Sequence, residues 1–185
     1  MATEREKMLS GQIYRALAPE LSAARRRARD LLHQLNHSRE EEVDLRRRIL
    51  AELIGTMGSG TWIEPPFYCD YGTNIALGNV VYFNFNCVVL DCAPVTIGDH
   101  VMFGPNVQIY TATHPMNAAR RRVGEEYALP IKIGDDVWVG GSAIICPGVS
   151  IGARSVIGAG SVVTRDVPEG VFAAGNPCRV IREVE

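Results

Sequence analysis

A chain of 185 residues, 46% apolar and with a formal net charge of −2, is long enough to bury its own core and lacks the positive excess that holds a nucleic-acid backbone. No apolar run approaches the length of a membrane span, and Met1-Ala2-Thr3-Glu4-Arg5-Glu6-Lys7 has no apolar signal-peptide core, which predicts a cytoplasmic protein. The cysteines Cys69, Cys87, Cys92, Cys146 and Cys178 are odd in number and form no C-x-x-C pair, so reduced thiols are expected rather than a disulfide framework.

Residues 3–56 read as helices. Thr3-Glu4-Arg5-Glu6 is a candidate capping box ahead of Met8, Leu9, Ile13, Tyr14 and Leu17 at helical spacing. Pro19 can open a second helix with the stripe Ala24, Ala28, Leu31, Leu32 and Leu35. Ser38-Arg39-Glu40-Glu41 reads as another capping box before Val43, Ile49, Leu50, Leu53 and Ile54, and Gly55 and Gly58 end that helix. Arg25-Arg26-Arg27 and Arg46-Arg47-Arg48 are offset by Asp30, Glu40-Glu41-Glu42 and Asp44, so they are read as a solvated face. His33 and His37 have the i, i+4 spacing of a shared metal, but no Glu accompanies them as in H-E-x-x-H and no third ligand is evident, so no metal is expected.

From residue 59 onward the texture changes. Ile133, Val139, Ile145, Ile151, Ile157 and Val163 recur every sixth position, with glycine following at 134, 140, 152 and 158. Six residues turn a helix by about one and two-thirds turns, which would scatter these aliphatics over different faces. A coil with three flat sides stacks them instead into inward columns, leaves room for only small residues at Val137, Ala143, Val149, Ser155, Ser161 and Val167, and uses glycine at its corners for positive φ or close approach. The prediction is a mainly β chain: a parallel β-helix over 59–185 with an α-helical cap over 1–58. Leu77, Phe83 and Val89 and then Ile97, Phe103 and Ile109 extend the columns backwards, with a two-residue slip at Ala93-Pro94. Between Ile109 and Ile133 the rhythm breaks, which predicts a long inserted loop at about 115–131 with His114 at its base. A neutral imidazole there can take a proton from a hydroxyl, the demanding step in acylating an alcohol.

The hexads, together with Phe67-Tyr68-Cys69-Asp70-Tyr71-Gly72, Asn84-Phe85-Asn86, Thr96-Ile97-Gly98-Asp99, Tyr110-Thr111-Ala112-Thr113-His114-Pro115, Trp138-Val139-Gly140-Gly141 and Gly175-Asn176-Pro177, resemble the hexapeptide acyltransferases, and more narrowly the maltose and galactoside O-acetyltransferases. The resemblance covers nearly the whole chain, including Leu35-Asn36-His37-Ser38. It implies a left-handed β-helix, acetyl-CoA as co-substrate, a small sugar acceptor, and a homotrimer with active sites between subunits. Carried over position by position, it makes His114 the general base, with Asn84 beside the reacting groups and a backbone N–H near Gly141 facing the developing oxyanion. Trp138, Gly141, Ala159, Thr164, Arg165, Arg179 and Arg182, with Asn84, match positions lining CoA, and arginines suit its phosphates. Arg25, Asp70, Tyr82 and Cys92 match the acceptor side.

The pattern departs from the galactoside enzymes at three of the acceptor positions, Ala16, Asp70 and Cys92, and moves toward the maltose type, whose Cys-Asp-Tyr-Gly segment it repeats. Glucose, maltose or related glucosides are therefore the expected acceptors. The alternatives are transfer to a galactoside, an antibiotic or an amine, and a β-helix that only binds or assembles. A zinc carbonic anhydrase of the same architecture needs three histidines, and this β-helix has only His100 and His114.

Overall fold

In the computed structural model, which describes residues 2–184, three helices lead into a left-handed parallel β-helix. Helix α1 (Glu4–Leu9) starts on the predicted capping box, the Thr3 hydroxyl accepting from the Glu6 N–H while the Glu6 carboxylate accepts from the Thr3 N–H. It then stops, where the spacing predicted a run to Leu17. Gly11 turns the chain at φ +73°, and Tyr14 is buried on extended backbone that bridges antiparallel to Glu126. Helix α2 (Pro19–Asn36) opens on Pro19 and buries Ala28, Leu31, Leu32 and Leu35 in a core shared with Ile49, Leu50 and Leu53 of α3 (Val43–Leu53).

The second predicted capping box does not form. Helix α3 begins after Glu42, and the Ser38 hydroxyl instead donates to the Leu35 carbonyl and accepts from Arg46 Nε at 2.8 Å. Arg46 is correspondingly buried, also bonded to the Ser38 carbonyl and 3.7 Å from Glu64, so it does not belong to the solvated face read from its neighbours.

The strands stack as three faces in parallel register. The first face holds Thr56–Met57, Ile75–Leu77, Val95–Ile97, Ile131–Ile133 and Ser150–Ile151. The second holds Trp62–Ile63, Tyr82–Phe83, Met102–Phe103, Trp138–Val139, Val156–Ile157 and Val171–Ala174, and the third Phe67–Cys69, Cys87–Leu90, Gln108–Tyr110, Ile144–Ile145 and Val162–Val163. The hexad aliphatics fall into the expected inward columns: Leu77, Ile97, Ile133 and Ile151 in one, Phe83, Phe103, Val139 and Ile157 in a second, Val89, Ile109, Ile145 and Val163 in a third. Phe83 and Phe103 stack with centroids 4.1 Å apart, and Phe67 meets Phe83 edge-on at 5.7 Å. The small companion positions are buried as predicted. Ser155 and Ser161 are tolerated there because their hydroxyls donate to the carbonyls of Pro168 and Gly158.

The corners use glycine for one of the two anticipated reasons. Gly134, Gly140, Gly152 and Gly158 lie outside the positive-φ region, but a Cβ on any of them would stand 2.3–2.8 Å from atoms of the following coil. Positive φ falls two residues later, on Asp136, Ser142, Arg154 and Gly160. The phase slip also has a structural cause. Between Cys69 and Leu77, and again between Val89 and Ile97, the corner from the third face to the first is wider than in the later coils. Asp91 fills its interior, fully buried, with its carboxylate accepting from the N–H groups of Asp70 (3.1 Å), Tyr71 (2.8 Å) and Asn74 (3.2 Å). Burial pushes this carboxyl up to about 6, partly opposed by the N–H donors.

In the third coil the same corner releases the predicted insertion. It is an antiparallel hairpin, Ala112–Thr113 against Tyr127–Ala128, carrying the short α4 (Ala118–Arg122). Both ends of the solenoid are covered. Asn36 of α2 exchanges two 2.9 Å hydrogen bonds with the Phe67 backbone in the first coil, and Arg179–Glu183 folds back antiparallel on Val171–Ala174 at the last.

Candidate active site

His114 follows Ala112–Thr113 at the base of the hairpin. Its Nδ1 donates to the Glu125 carbonyl at 2.9 Å. A carbonyl can only accept, so in the neutral ring Nδ1 carries the proton and Nε2 presents a lone pair on the side away from Glu125. The imidazole is exposed on the isolated chain.

On the same edge of the solenoid, Arg25 from α2 converges with Asp70 and Cys92 on a cavity of about 340 Å³, also lined by Ala16, Tyr71 and Glu126. Arg25 is anchored by the protein: it donates to the Tyr71 hydroxyl at 2.8 Å and the Ala16 carbonyl at 2.7 Å, and lies 5.8 Å from the Tyr71 ring centre. The Cys92 thiol donates to Asp70 Oδ2 at 3.3 Å and lies 3.8 Å from Glu126 Oε1. Burial raises the Asp70 carboxyl, while the thiol and Arg25 pull it down. Burial and the two nearby acids push the Cys92 thiol far above its ordinary range, so it serves as a hydrogen-bond donor and not as a nucleophile. Three of the predicted acceptor residues are thus brought together. Glu126 joins them unpredicted, because it lies in the segment without six-residue rhythm.

The remaining candidates sit elsewhere. Tyr82 and Trp138 share one outward column of the second face, separated by Met102, and Arg182 lies at its C-terminal end, 5.8 Å from the Phe172 ring centre. The neighbouring corner, between the second and third faces, carries Asn84, Gly141 and Ala159. Asn84 Oδ1 accepts from the Phe85 N–H at 2.8 Å, which leaves its NH₂ as a free donor. Among the described residues, the N–H groups of Gly141 and Ala159 donate to no protein acceptor, so this corner offers unused donors to a ligand. Arg165 and Arg179 line a separate cleft of about 140 Å³ at the C-terminal end, with Thr164 adjoining Arg165.

The two groups stand on opposite edges of the third face. Five or six residues at about 3.3 Å each separate those edges by roughly 15–20 Å. One chain therefore does not bring Asn84, Gly141 and Tyr82 up to His114, Asp70 and Cys92.

Comparison with known proteins bears directly on this arrangement. Residues 7–58 match the maltose acetyltransferase hexapeptide capping motif, and residues 130–165 match the bacterial transferase hexapeptide model of six repeats. The galactoside O-acetyltransferase of Escherichia coli (strain K12) is 45% identical over 179 residues, covering 97% of this chain and 88% of that protein. The chain belongs to the maltose and galactoside O-acetyltransferase family. Among solved structures, a maltose O-acetyltransferase from Clostridium difficile 630 is 48% identical with a TM-score of 0.98, over 100% of this chain and 98% of that one. A galactoside acetyltransferase in complex with coenzyme A is 43% identical with a TM-score of 0.97, over 100% and 92%.

As a member of this family the chain is a hexapeptide-repeat O-acetyltransferase. The hexapeptide match falls on the coils that lack the wider corner, where the period is uninterrupted. Among the described residues, no helix is long and apolar enough to cross a membrane, and no three His, Cys, Asp or Glu side chains gather as a metal site. His37 Nδ1 is engaged with the His33 carbonyl at 2.7 Å.

Proposed function

We propose that this O-acetyltransferase moves the acetyl group of acetyl-CoA directly onto a hydroxyl of a small sugar of the glucose or maltose type, with His114 as general base. The observation that carries the reading is the hydrogen bond from His114 Nδ1 to the Glu125 carbonyl, which fixes the tautomer whose Nε2 can accept a proton. Acetyl-CoA would supply a thioester-activated acyl carbon, with CoA leaving as the thiol. His114 Nε2 takes the sugar hydroxyl proton as that oxygen bonds to the acyl carbon, then returns it to the departing sulfur, so the chain ends as it began. The unused Gly141 N–H suits the oxygen that gains negative charge, and the Asn84 NH₂ suits a neighbouring acceptor atom. Trp138 offers a half-exposed ring to the thin pantetheine arm along the corner that carries Ala159. Thr164, Arg165, Arg179 and Arg182 suit the nucleotide end.

Because the acceptor edge and the donor edge are a full face apart, a complete site requires a second copy of the chain. A homotrimer satisfies this, each subunit lending one edge to each of two sites in a closed ring. In this reading the helical segment 1–58 serves the acceptor side through Arg25, and 59–185 carries the chemistry and the CoA contacts. The five thiols, all free, suit the cytoplasm.

The test is an acceptor screen with acetyl-CoA, following thiol release over glucose, maltose, galactosides and amines. On the best acceptor, His114→Ala is expected to lower kcat by about 10²- to 10⁴-fold with little change in KM for acetyl-CoA. A variant within a few-fold of wild type would exclude His114 as the base.

A further inference from the structure

We infer that Glu126 is a second acceptor-binding carboxylate, and that with Asp70 it makes the pocket select a hydroxyl-rich acceptor by receiving two of its O–H groups. This rests on the acetyltransferase reading above and deepens it. The two acids face each other across one thiol, with Cys92 Sγ 3.3 Å from Asp70 Oδ2 and 3.8 Å from Glu126 Oε1. Among the described residues, the other oxygens, Asp70 Oδ1 and Glu126 Oε2, accept no hydrogen bond and form no ion pair, although both side chains line the cavity of about 340 Å³. Arg25 donates to Tyr71 and Ala16, and among the described residues neither it nor Arg29, which also lines the cavity, forms an ion pair with either acid. Two unpartnered carboxylate oxygens facing one cavity take O–H donors.

Glu126 is also firmly held and adjoins in sequence the residue that orients His114. It is held from behind by the Tyr14 hydroxyl, and the Tyr14 N–H donates to its carbonyl at 3.0 Å. Its neighbour Glu125 supplies the carbonyl that fixes His114. One dipeptide thus orients the base and presents an acceptor contact.

The experiment compares wild type, Glu126→Gln and Tyr14→Phe on the best sugar found in the screen and on its monodeoxy analogues. Glu126→Gln is expected to raise KM for the sugar by about 10- to 100-fold, leave KM for acetyl-CoA within about twofold, and lose discrimination against one particular deoxy analogue. Tyr14→Phe, which keeps the carboxylate but drops its clamp, should shift the sugar KM by no more than a few-fold. An unchanged sugar KM in Glu126→Gln overturns the inference while leaving the acetyltransferase reading intact. So does an equal loss on every analogue, or a Tyr14→Phe effect as large as that of Glu126→Gln, either of which would mark Glu126 as a hairpin fastener only. A wild-type enzyme that acetylates no sugar overturns both.

Discussion

Replacing Asp91 with alanine tests how the fold holds the acceptor side of the site. The carboxylate is fully buried and accepts three N–H groups, from Asp70, Tyr71 and Asn74, at 3.1, 2.8 and 3.2 Å. Stranding a buried donor costs about 1–3 kcal/mol. Water entering the vacated space can satisfy part of that loss, so a total of about 3–5 kcal/mol is expected rather than the full sum. At about 2–4 °C per kcal/mol for a chain of this length, the melting temperature should fall by roughly 6–20 °C. Circular dichroism melts at matched protein concentration would measure this, since an oligomer melts in a concentration-dependent way. The same turn presents Asp70 and Tyr71 to the cavity, so KM for the sugar should rise while KM for acetyl-CoA, proposed to bind on the opposite edge, stays put. A melting temperature within about 2 °C of wild type, with an unaltered sugar KM, would refute the argument.

The pH dependence of the same group has a defined sign. The folded-state pKa of Asp91 is raised to about 6, so its contribution to stability is fullest below the unfolded value and is lost as pH rises through about 6. The advantage of wild type over the non-titrating Asp91→Asn in thermal melts should therefore shrink between pH 4 and pH 7, and an advantage that grew would contradict the shift. Val80 is a β-branched residue at φ +56° and is half exposed, so Val80→Asn should stabilise by about 1 kcal/mol, seen as a higher denaturation midpoint in urea. A Cβ at Gly104 would stand 2.6 Å from the Gly141 nitrogen, so Gly104→Ala should destabilise by about 1–3 kcal/mol and weaken acetyl-CoA in equilibrium titration, whereas unchanged affinity would argue that the corner is not the donor site.

The solenoid was legible because its determinant is periodic: a six-residue return of aliphatics has no other packing solution, and Ile133 to Val163 land inward as written. The hairpin was legible only as a break in that period. What escaped was whatever depends on a single contact between distant segments. Nothing local distinguishes Tyr14 on extended backbone from Tyr14 on a helix, since its partner Glu126 lies far along the chain. Ser38 has the residues of a capping box, but the guanidinium of Arg46 claims its hydroxyl. Asp91 reads as any acid near a turn until three amides are seen to point at it. For the site, motif positions identified Arg25, Asp70 and Cys92, which do share a cavity, but could not reveal that Asn84 and His114 occupy different edges.

The coverings at the two ends of the coil stack also decide how these molecules can meet. A solenoid whose last rung lay bare would offer unpaired amides and carbonyls to the first rung of another, and chains would add end to end into fibres. Here helices cover one terminus, and at the other the outermost strand of the second face, Arg179–Glu183, runs antiparallel to the coils, so that edge does not continue the parallel stack.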